Sequence, residues 1–466
     1  MAVKSGAGTC PSSSERRVRG RRRRWFPYAA LTVLLAGGIF YAGLRCHWRW
    51  DLRRRVGAVR AAGCPVTLAE LDAWYPRPES SENAALWIVE ATAVYREPAD
   101  ESDGWDLWFL VRDPPTGRTE PLDGRFRALL TRHIAANAQP LKLLHEAAGM
   151  EESRYPIDLT QDVGGGASHH GAVVRACALL SVEAVHHVES ANPADGVRSI
   201  RAALAVADSL RAEPCQLSQA NRVLAQSLAL SALERALNRA VLTDAQLASL
   251  SQAVTKAHRP EAWRRALAGL QCTLLAYREH PERLGLERPS SLIVDAYGTL
   301  GLLERGSVVF LKLMDESLAL RQLPAHRRMA VARVLEEKWG DALRTFFRVG
   351  GPTSVIRQAI EQELTETAQL AVAHTALAVE RYRLAWGRLP GSLEDLVPDY
   401  LQETPRDPFD GSPLRYRRLK PGFVVYSVGP DETDHGGKER ASAKERKAGE
   451  THDLVFRVER SESTTR

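Results

Sequence analysis

The sequence contains few cysteines and few motifs of known chemistry. Its 466 residues include six cysteines, too few for a fold built on disulfides. No two cysteines are spaced as CxxC, and the sequence contains neither HExxH, GxxxxGK[ST] nor GxSxG. It therefore lacks the signatures of CxxC zinc sites, HExxH metalloproteases, P-loop nucleotide-binding proteins and α/β-hydrolases.

An excess of positive charge is missing from most of the chain. Residues 1–55 contain thirteen Lys and Arg residues against two acidic residues, whereas the remainder contains 50 against 55. The overall net charge of +6 therefore comes from the N-terminal segment. Because residues 56–466 have no basic excess, we expect no nucleic-acid partner.

Long apolar runs are missing too, except for one near the N-terminus. Residues 25–44, WFPYAALTVLLAGGIFYAGL, contain no charged residue. About twenty apolar residues in a helix span a hydrocarbon core of about 30 Å. Aromatic residues such as Tyr28, Tyr41 and Trp48 flank the run, as is typical of membrane interfaces. We therefore expect residues 25–44 to form a transmembrane helix in contact with membrane lipid.

The charged flanks of this helix indicate its orientation. Eight Lys and Arg residues precede it and six follow it closely, which favours a cytoplasmic tail at 1–24 and a body outside the cytoplasm. A cleaved export signal is the alternative, because Arg23-Arg24-Trp25-Phe26 resembles a twin-arginine signal. No small-x-small cleavage site follows, so an uncleaved single-pass signal anchor is favoured.

The middle of the chain has the spacing of helices. We expect juxtamembrane helices and a polar excursion at 45–120, with one strand in WDLWFLV (105–111), and an irregular helical-hairpin domain at 121–350. Thr67-x-x-Glu70 and Thr243-x-x-Gln246 predict capped helix starts.

Four cysteines of this region are available for disulfides in an oxidising compartment. They are Cys64, Cys177, Cys215 and Cys272. Four cysteines allow three pairings, and small buried apolar side chains are the alternative role.

The C-terminal part predicts a small α+β module at 351–460, followed by a disordered tail at 461–466. A long helix over 354–386 is expected to end at Gly387, which fits a left-handed C-cap. Three short antiparallel strands are expected at 414–417, 423–427 and 454–458. The predicted fold class is therefore mainly α: an N-terminal transmembrane helix, an irregular multi-helix domain and a small α+β module.

This module resembles the head of type II secretion major pseudopilins. The shared pattern is a Tyr-Arg pair, a Gly-x-x-Pro turn, an Asp-Pro turn, a strand containing Tyr, and a strand ending in Tyr-Ser-x-Gly. The matching residues are Tyr382, Arg383, Gly387, Leu389, Pro390, Leu393, Leu396, Val397, Pro398, Asp407, Pro408, Phe409, Gly411, Tyr416, Tyr426, Ser427, Gly429 and Asp431. The resemblance covers roughly a quarter of the chain. It implies a pilin-like head.

The N-terminal part departs from that family. Pseudopilins begin with a Gly, an aromatic residue and a Glu at the start of the apolar helix, within the same helix that leads to the head. Here the apolar run starts WFPYA, contains no Glu and lies far upstream of the module. A processed filament subunit is therefore not expected.

The resemblance also implies a calcium site in the loop after Tyr-Ser-x-Gly. Asp431, Asp434 and Asp453 would supply the hard oxygen ligands that Ca²⁺ prefers. The inserted residues 438–450 add five cations beside them, which oppose a bound dication. A solvated loop without an ion is the alternative.

Two histidine pairs are the other candidate ligands. His169-His170 and His186-His187 flank Glu183, and on a helix Glu183 shares a face with His187. A glutamate and two histidines can bind zinc. Because about 24 Å of helix separates the pairs, one ion cannot join both. Exposed or capping histidines are the alternative.

Residues 63–85 and 213–237 are similar to bacterial single-span helical proteins that share this pilin-like end and have no assigned activity. The sequence therefore predicts a scaffold or adaptor in the bacterial inner membrane, with a periplasmic body that contacts envelope proteins. An accessory component of a secretion or pilus-like machine is one alternative. An envelope hydrolase or metalloenzyme using His169/His170 and His186/His187 is the other.

Overall fold

The computed structural model describes residues 13–112, 117–160, 168–277, 301–347, 352–440 and 451–460. The chain is mainly helical, with an apolar N-terminal helix and a small three-stranded antiparallel sheet near the C-terminus, which confirms the predicted fold class. The predicted tail at 461–466 lies outside the described residues.

The α-helices of the described residues follow one another along the chain. They are α1 (Ser13–Ala61), α2 (Leu68–Trp74), α3 (Ala84–Ala93), α4 (Glu101–Arg112), α5 (Gly124–Ala136), α6 (Ala138–Ala148), α7 (Ser168–Glu189), α8 (Pro193–Asp208), α9 (Gln216–Arg239), α10 (Asp244–Ala257), α11 (Pro260–Tyr277), α12 (Leu302–Ala319), α13 (Ala325–Phe347) and α14 (Pro352–Trp386). Short 3-10 helices lie at Ser80–Glu82, Leu320–Gln322 and Leu393–Leu396. The strands are β1 (Arg415–Arg418), β2 (Phe423–Ser427) and β3 (Leu454–Val458).

Helix α1 is continuous over 49 residues and joins the apolar run to the body. Its apolar side chains are exposed, with Leu34 at 72% and Phe40 at 70%. Two helices in the described residues are long and apolar enough to cross a membrane. Within Tyr28–Ala61 of α1, none of the 18-residue apolar segment is buried, whereas 67% of the corresponding segment of His169–Glu189 in α7 is buried. The second is therefore a core helix of the body.

The C-terminal end of α1 packs against the helical body. Leu52 is buried in an apolar cluster with side chains of α11 and α12. Arg49 Nε donates to Glu304 of α12 at 3.2 Å, and Arg55 Nη1 donates to Asp315 at 3.0 Å. The predicted membrane segment and the predicted juxtamembrane helix are thus one helix that is fixed to the body.

The core of the body is built from α7, α8 and α9, which pack against one another, with α3 to α6, α10 and α14 around them. The predicted caps of two helices are present. Thr67 accepts from the Glu70 N–H at 3.1 Å, and Thr243 forms a reciprocal capping box with Gln246. These caps satisfy N–H groups that the first turn of a helix leaves without partners.

The sheet has the strand order β1-β2-β3 and packs onto α14 and α9. Phe423 and Val425 of β2 belong to the same hydrophobic core as the central helices. On the outer edge of β3, Asn238 of α9 donates to the Arg457 carbonyl at 2.8 Å and accepts from the Glu459 N–H at 2.7 Å. The C-terminal module is therefore packed into the body on this side.

The structure corrects one predicted element. Residues 105–111 lie in helix α4, so the predicted strand is wrong. Leu107, Leu110 and Val111 are buried and have helical i, i+3, i+4 spacing. This face packs on α7 and α9, and these contacts stabilise a helix here.

The cysteines in the described residues are free thiols. Cys46 is exposed, Cys64 is half-buried, and Cys177, Cys215 and Cys272 are buried. The three buried thiols pack as small side chains inside the body.

Candidate metal centre

Glu213 lies in the turn between α8 and α9. Its N–H donates to the Leu210 carbonyl at 3.1 Å. Gln219, from the start of α9, donates to the carbonyls of Leu210 at 2.9 Å and Glu213 at 3.0 Å. Gly269 of α11 packs so closely that an added Cβ would lie 1.8 Å from the Pro214 carbonyl oxygen. Hydrogen bonds and close packing therefore fix the backbone that carries the Glu213 carboxylate.

His169 and His170, in the first turn of α7, both reach this carboxylate. The Nε2 atom of His169 lies 3.1 and 3.0 Å from the two Glu213 oxygens, and the Nε2 atom of His170 lies 3.1 Å from Oε1. Successive helical residues point about 100° apart, so the carboxylate must lie between the two directions. Ser218 Oγ donates to Glu213 Oε1 at 2.7 Å and lies 2.8 Å from His170 Nε2.

Aromatic side chains close one side of this cluster. The ring of Tyr155 stacks on His169 with centroids 4.5 Å apart. Tyr155 is fully buried, shares a hydrogen bond with Ser209 Oγ at 2.8 Å, and donates its N–H to Tyr75 Oη at 3.1 Å. Burial raises the pKa of Tyr155 well above its usual value, so the phenol stays neutral. The stacked ring excludes water and fixes the plane of His169.

Glu213 is ionised at neutral pH although it is only 1% exposed. Burial is the largest single influence and raises its pKa. Hydrogen bonds from His169 and His170, charge attraction to His169 and a hydrogen bond from Ser218 together outweigh burial and hold the pKa at about 2. A full negative charge therefore faces two imidazole nitrogens in a site closed to water. Two imidazoles and a carboxylate are a known ligand set for zinc.

Among the described residues, His169, His170 and Glu213 are the group of three metal-ligating side chains whose ligand atoms lie within 4.8 Å of one another. The sequence had singled out the two histidines but had placed Glu183, not Glu213, beside a histidine pair. Glu213 lies 43 residues from His170, and no local spacing indicates that the α8–α9 turn brings it there.

The second histidine pair lies in a separate cluster around Glu183. His187 Nε2 lies 3.9 Å from Glu183 Oε1, as expected for neighbours on one helix face. The closer partners are His145 Nε2 at 2.8 Å and Ser199 Oγ, which donates at 2.7 Å. Burial is the largest influence on Glu183 and raises its pKa, but these hydrogen bonds outweigh it and lower the pKa. The His186 ring stands 5.8 Å from that of His187.

The three candidate calcium ligands lie in the loop after β2 and at the start of β3. Asp453 accepts the N–H groups of residues 435, 437 and 438 at 2.7–3.2 Å. Asp434 accepts from Tyr426 Oη at 3.2 Å, and Asp431 Oδ2 lies 2.9 Å from His435 Nε2. The carboxylates thus bind groups of the loop and of strand β2, and calcium binding there stays a prediction.

No protein-family model matches the chain, and no curated protein or solved structure matches it either.

Proposed function

We propose that this chain is a single-pass membrane protein that acts as a scaffold or adaptor for other proteins of the bacterial envelope. Helix α1 carries this proposal, because it exposes its apolar half and continues without a break into a packed body. The N-terminus would lie in the cytoplasm, the span in the inner membrane and the body in the periplasm.

The exposed side chains of α1 support the membrane anchor. Leu31, Val33, Leu34, Leu35, Ile39 and Phe40 are each more than half exposed. In water this apolar surface would be costly, whereas in a bilayer it removes apolar area from solvent. The eight basic residues before the span support the cytoplasmic position of the N-terminus.

The rigid attachment of the body supports a scaffold. Arg49 and Arg55 join α1 to α12, and Asn238 joins α9 to β3. Anchor, helical body and C-terminal module therefore present surfaces in fixed relative positions. Fixed surfaces beside a membrane are suited to holding other envelope proteins in a defined arrangement.

The anchor is tested by placing charge in the middle of the span. Leu34→Lys with Leu35→Lys should release the full-length chain from membranes, because each buried Lys costs about 2.5–3.5 kcal/mol at the centre of a bilayer. The matched control is Val334→Lys, which alters a 58% exposed apolar side chain of the body. Resistance to alkaline carbonate extraction is the readout. A wild-type chain that is already extracted would refute the anchor.

The adaptor role is tested by photo-cross-linking in intact cells. A photoreactive residue replaces Trp386, which is 61% exposed at the end of α14, or Val334 of α13 as the control position. We expect a discrete adduct with an envelope protein from position 386 and a different pattern from position 334. Identical patterns of abundant proteins, or no adducts at either position, would refute an adaptor role for this face.

An accessory role in a secretion or pilus-like machine is the second candidate. A long helix followed by three antiparallel strands is the arrangement expected of a pilin-like head, and it favours this candidate. Fold-level likeness is a weak basis for function. Deletion of the gene should then reduce export by such a machine, and unchanged export would argue against this role.

A further inference from the structure

We propose that His169, His170 and Glu213 bind one Zn²⁺ ion, which fastens the start of α7 to the turn between α8 and α9. This inference does not depend on the membrane anchor or on the adaptor role. It rests on the geometry of the three side chains, on their chemistry, and on how the body neutralises its other buried glutamates.

The spacing of the ligand atoms fits a tetrahedral ion. Zinc bonds of about 2.0–2.1 Å to nitrogen and oxygen place neighbouring ligands about 3.3 Å apart. The Nε2 atoms of His169 and His170 lie 3.0 and 3.1 Å from the carboxylate of Glu213. Zinc binding would therefore require the distances from the two Nε2 atoms to the carboxylate to increase by only a few tenths of an ångström. Ser218 Oγ borders the same space and can serve as a fourth ligand or hold a water there.

The ligand set selects the metal. Imidazole nitrogen suits zinc and other late transition metals, whereas Ca²⁺ and Mg²⁺ prefer sites made of oxygen alone. His169, His170 and Glu213 are 7%, 4% and 1% exposed. Stacking of Tyr155 against His169 further fixes one ligand. A buried site whose ligands are already oriented favours an ion that exchanges its bound water for protein ligands.

The charge balance of the body points to a cation at this position. Three other buried glutamates, Glu363, Glu366 and Glu380, each pair with an arginine. Glu183 has His145 Nε2 at 2.8 Å. The side-chain hydrogen-bond partners of Glu213 are two deeply buried histidines and a serine. A bound dication would supply the positive charge that arginine supplies elsewhere.

Zinc content of the full-length protein in detergent tests the proposal. The protein is stripped with a chelator, dialysed against Zn²⁺ and analysed by elemental mass spectrometry. We expect one zinc ion per chain, and weaker binding in His170→Gln and Glu213→Gln. Zinc affinity should fall by more than about 10–100-fold, the loss that follows removal of a residue that only hydrogen-bonds to a metal ligand. The double change His186→Gln with His187→Gln is the matched control, because it alters an adjacent pair on the same helix.

Cobalt provides a second measurement that needs no variant. Co²⁺ added to the stripped wild-type protein should give the intense visible absorption of a four-coordinate site with nitrogen ligands, and Zn²⁺ should abolish it. Zinc below about 0.1 ion per chain in the wild type overturns the proposal. So does full retention of zinc in the folded Glu213→Gln variant, equal loss in the His186/His187 control, or a six-coordinate cobalt spectrum.

Discussion

The ion pair between Arg222 and Glu366 offers the sharpest test of how the body is held together. Arg222 is fully buried; its Nη2 donates to Glu366 Oε2 at 2.8 Å and its Nη1 lies 2.7 Å from Oε1. Glu366 also accepts from Trp263 Nε1 at 2.9 Å. The pair therefore joins α9, α11 and α14. Replacing Arg222 with Met leaves Glu366 as a buried, uncompensated charge.

The structure sets the size of the effect. Removing one partner of a buried ion pair costs about 3–5 kcal/mol, so Arg222→Met should lower the free energy of unfolding by that amount. The double change Arg222→Met with Glu366→Gln removes the charge and keeps an oxygen for the Trp263 N–H. It should cost about 1–3 kcal/mol, because Gln219 Oε1 loses its Arg222 donor, whereas the Ala257 carbonyl still accepts from Gln226. The double variant is therefore expected to be more stable than the single variant.

Urea unfolding of the full-length protein in detergent, followed by far-UV circular dichroism, measures these free energies. Arg381→Met is the control, because Arg381 pairs with Asp244 at 2.7 Å where the Asp244 side chain is 57% exposed. Exposed pairs contribute about 0–1 kcal/mol. A double variant as unstable as Arg222→Met, or a control as unstable as Arg222→Met, would refute the reasoning.

Three further predictions concern single residues of the body. The pKa of Glu189 is lowered, because neighbouring arginines outweigh the effect of burial, which is the largest single influence and raises it. The ionised Glu189 therefore contributes to stability above about pH 4.5. That contribution is lost as the pH falls through the lowered value, and Glu189→Gln should flatten this acid loss in urea midpoints. Gly269→Ala should cost about 3 kcal/mol or more, because its Cβ meets a backbone oxygen, whereas Gly104→Ala in α4 should stabilise by about 0.5–1 kcal/mol. A maleimide should label exposed Cys46 and spare Cys272, where burial raises the thiol pKa to about 12.

A different result would contradict each of these three predictions. If the urea midpoint of Glu189→Gln fell with pH as steeply as that of the wild type, other carboxylates would account for the acid destabilisation. Destabilisation by Gly104→Ala would contradict a helix at residues 101–112. Labelling of Cys272 at the rate of Cys46 in site-resolved mass spectra would contradict the packing of α11.

Local features were predictable because they depend on neighbours in the chain. The helix that ends at Trp386 and the left-handed Gly387 follow from apolar periodicity and from a glycine at the C-cap. The strand expected at 105–111 is the local element that the structure contradicts. Leu107, Leu110 and Val111 already had the spacing of a helix face, and their contacts with α7 and α9 decide the outcome.

The candidate site shows where local reasoning stops. Glu183 and His187 share a helix face, and a spacing of four residues in a helix predicts this proximity. The contact of Glu213 with His169 and His170 depends on how three helices pack and on a turn fixed by Gln219. Sequence spacing carries no measure of that packing. The histidines could therefore be chosen from the sequence, while their carboxylate partner could not.

The unbroken course of α1 has a mechanical consequence. At 1.5 Å per residue its 49 residues form a rod about 74 Å long, without a break between the exposed apolar part and the part that contacts α12. Transmembrane helices tilt when the bilayer becomes thinner. With the apolar half of α1 in lipid, such a tilt would rotate the whole body through the same angle. Membrane thickness would then set the orientation of the body's surfaces relative to the bilayer.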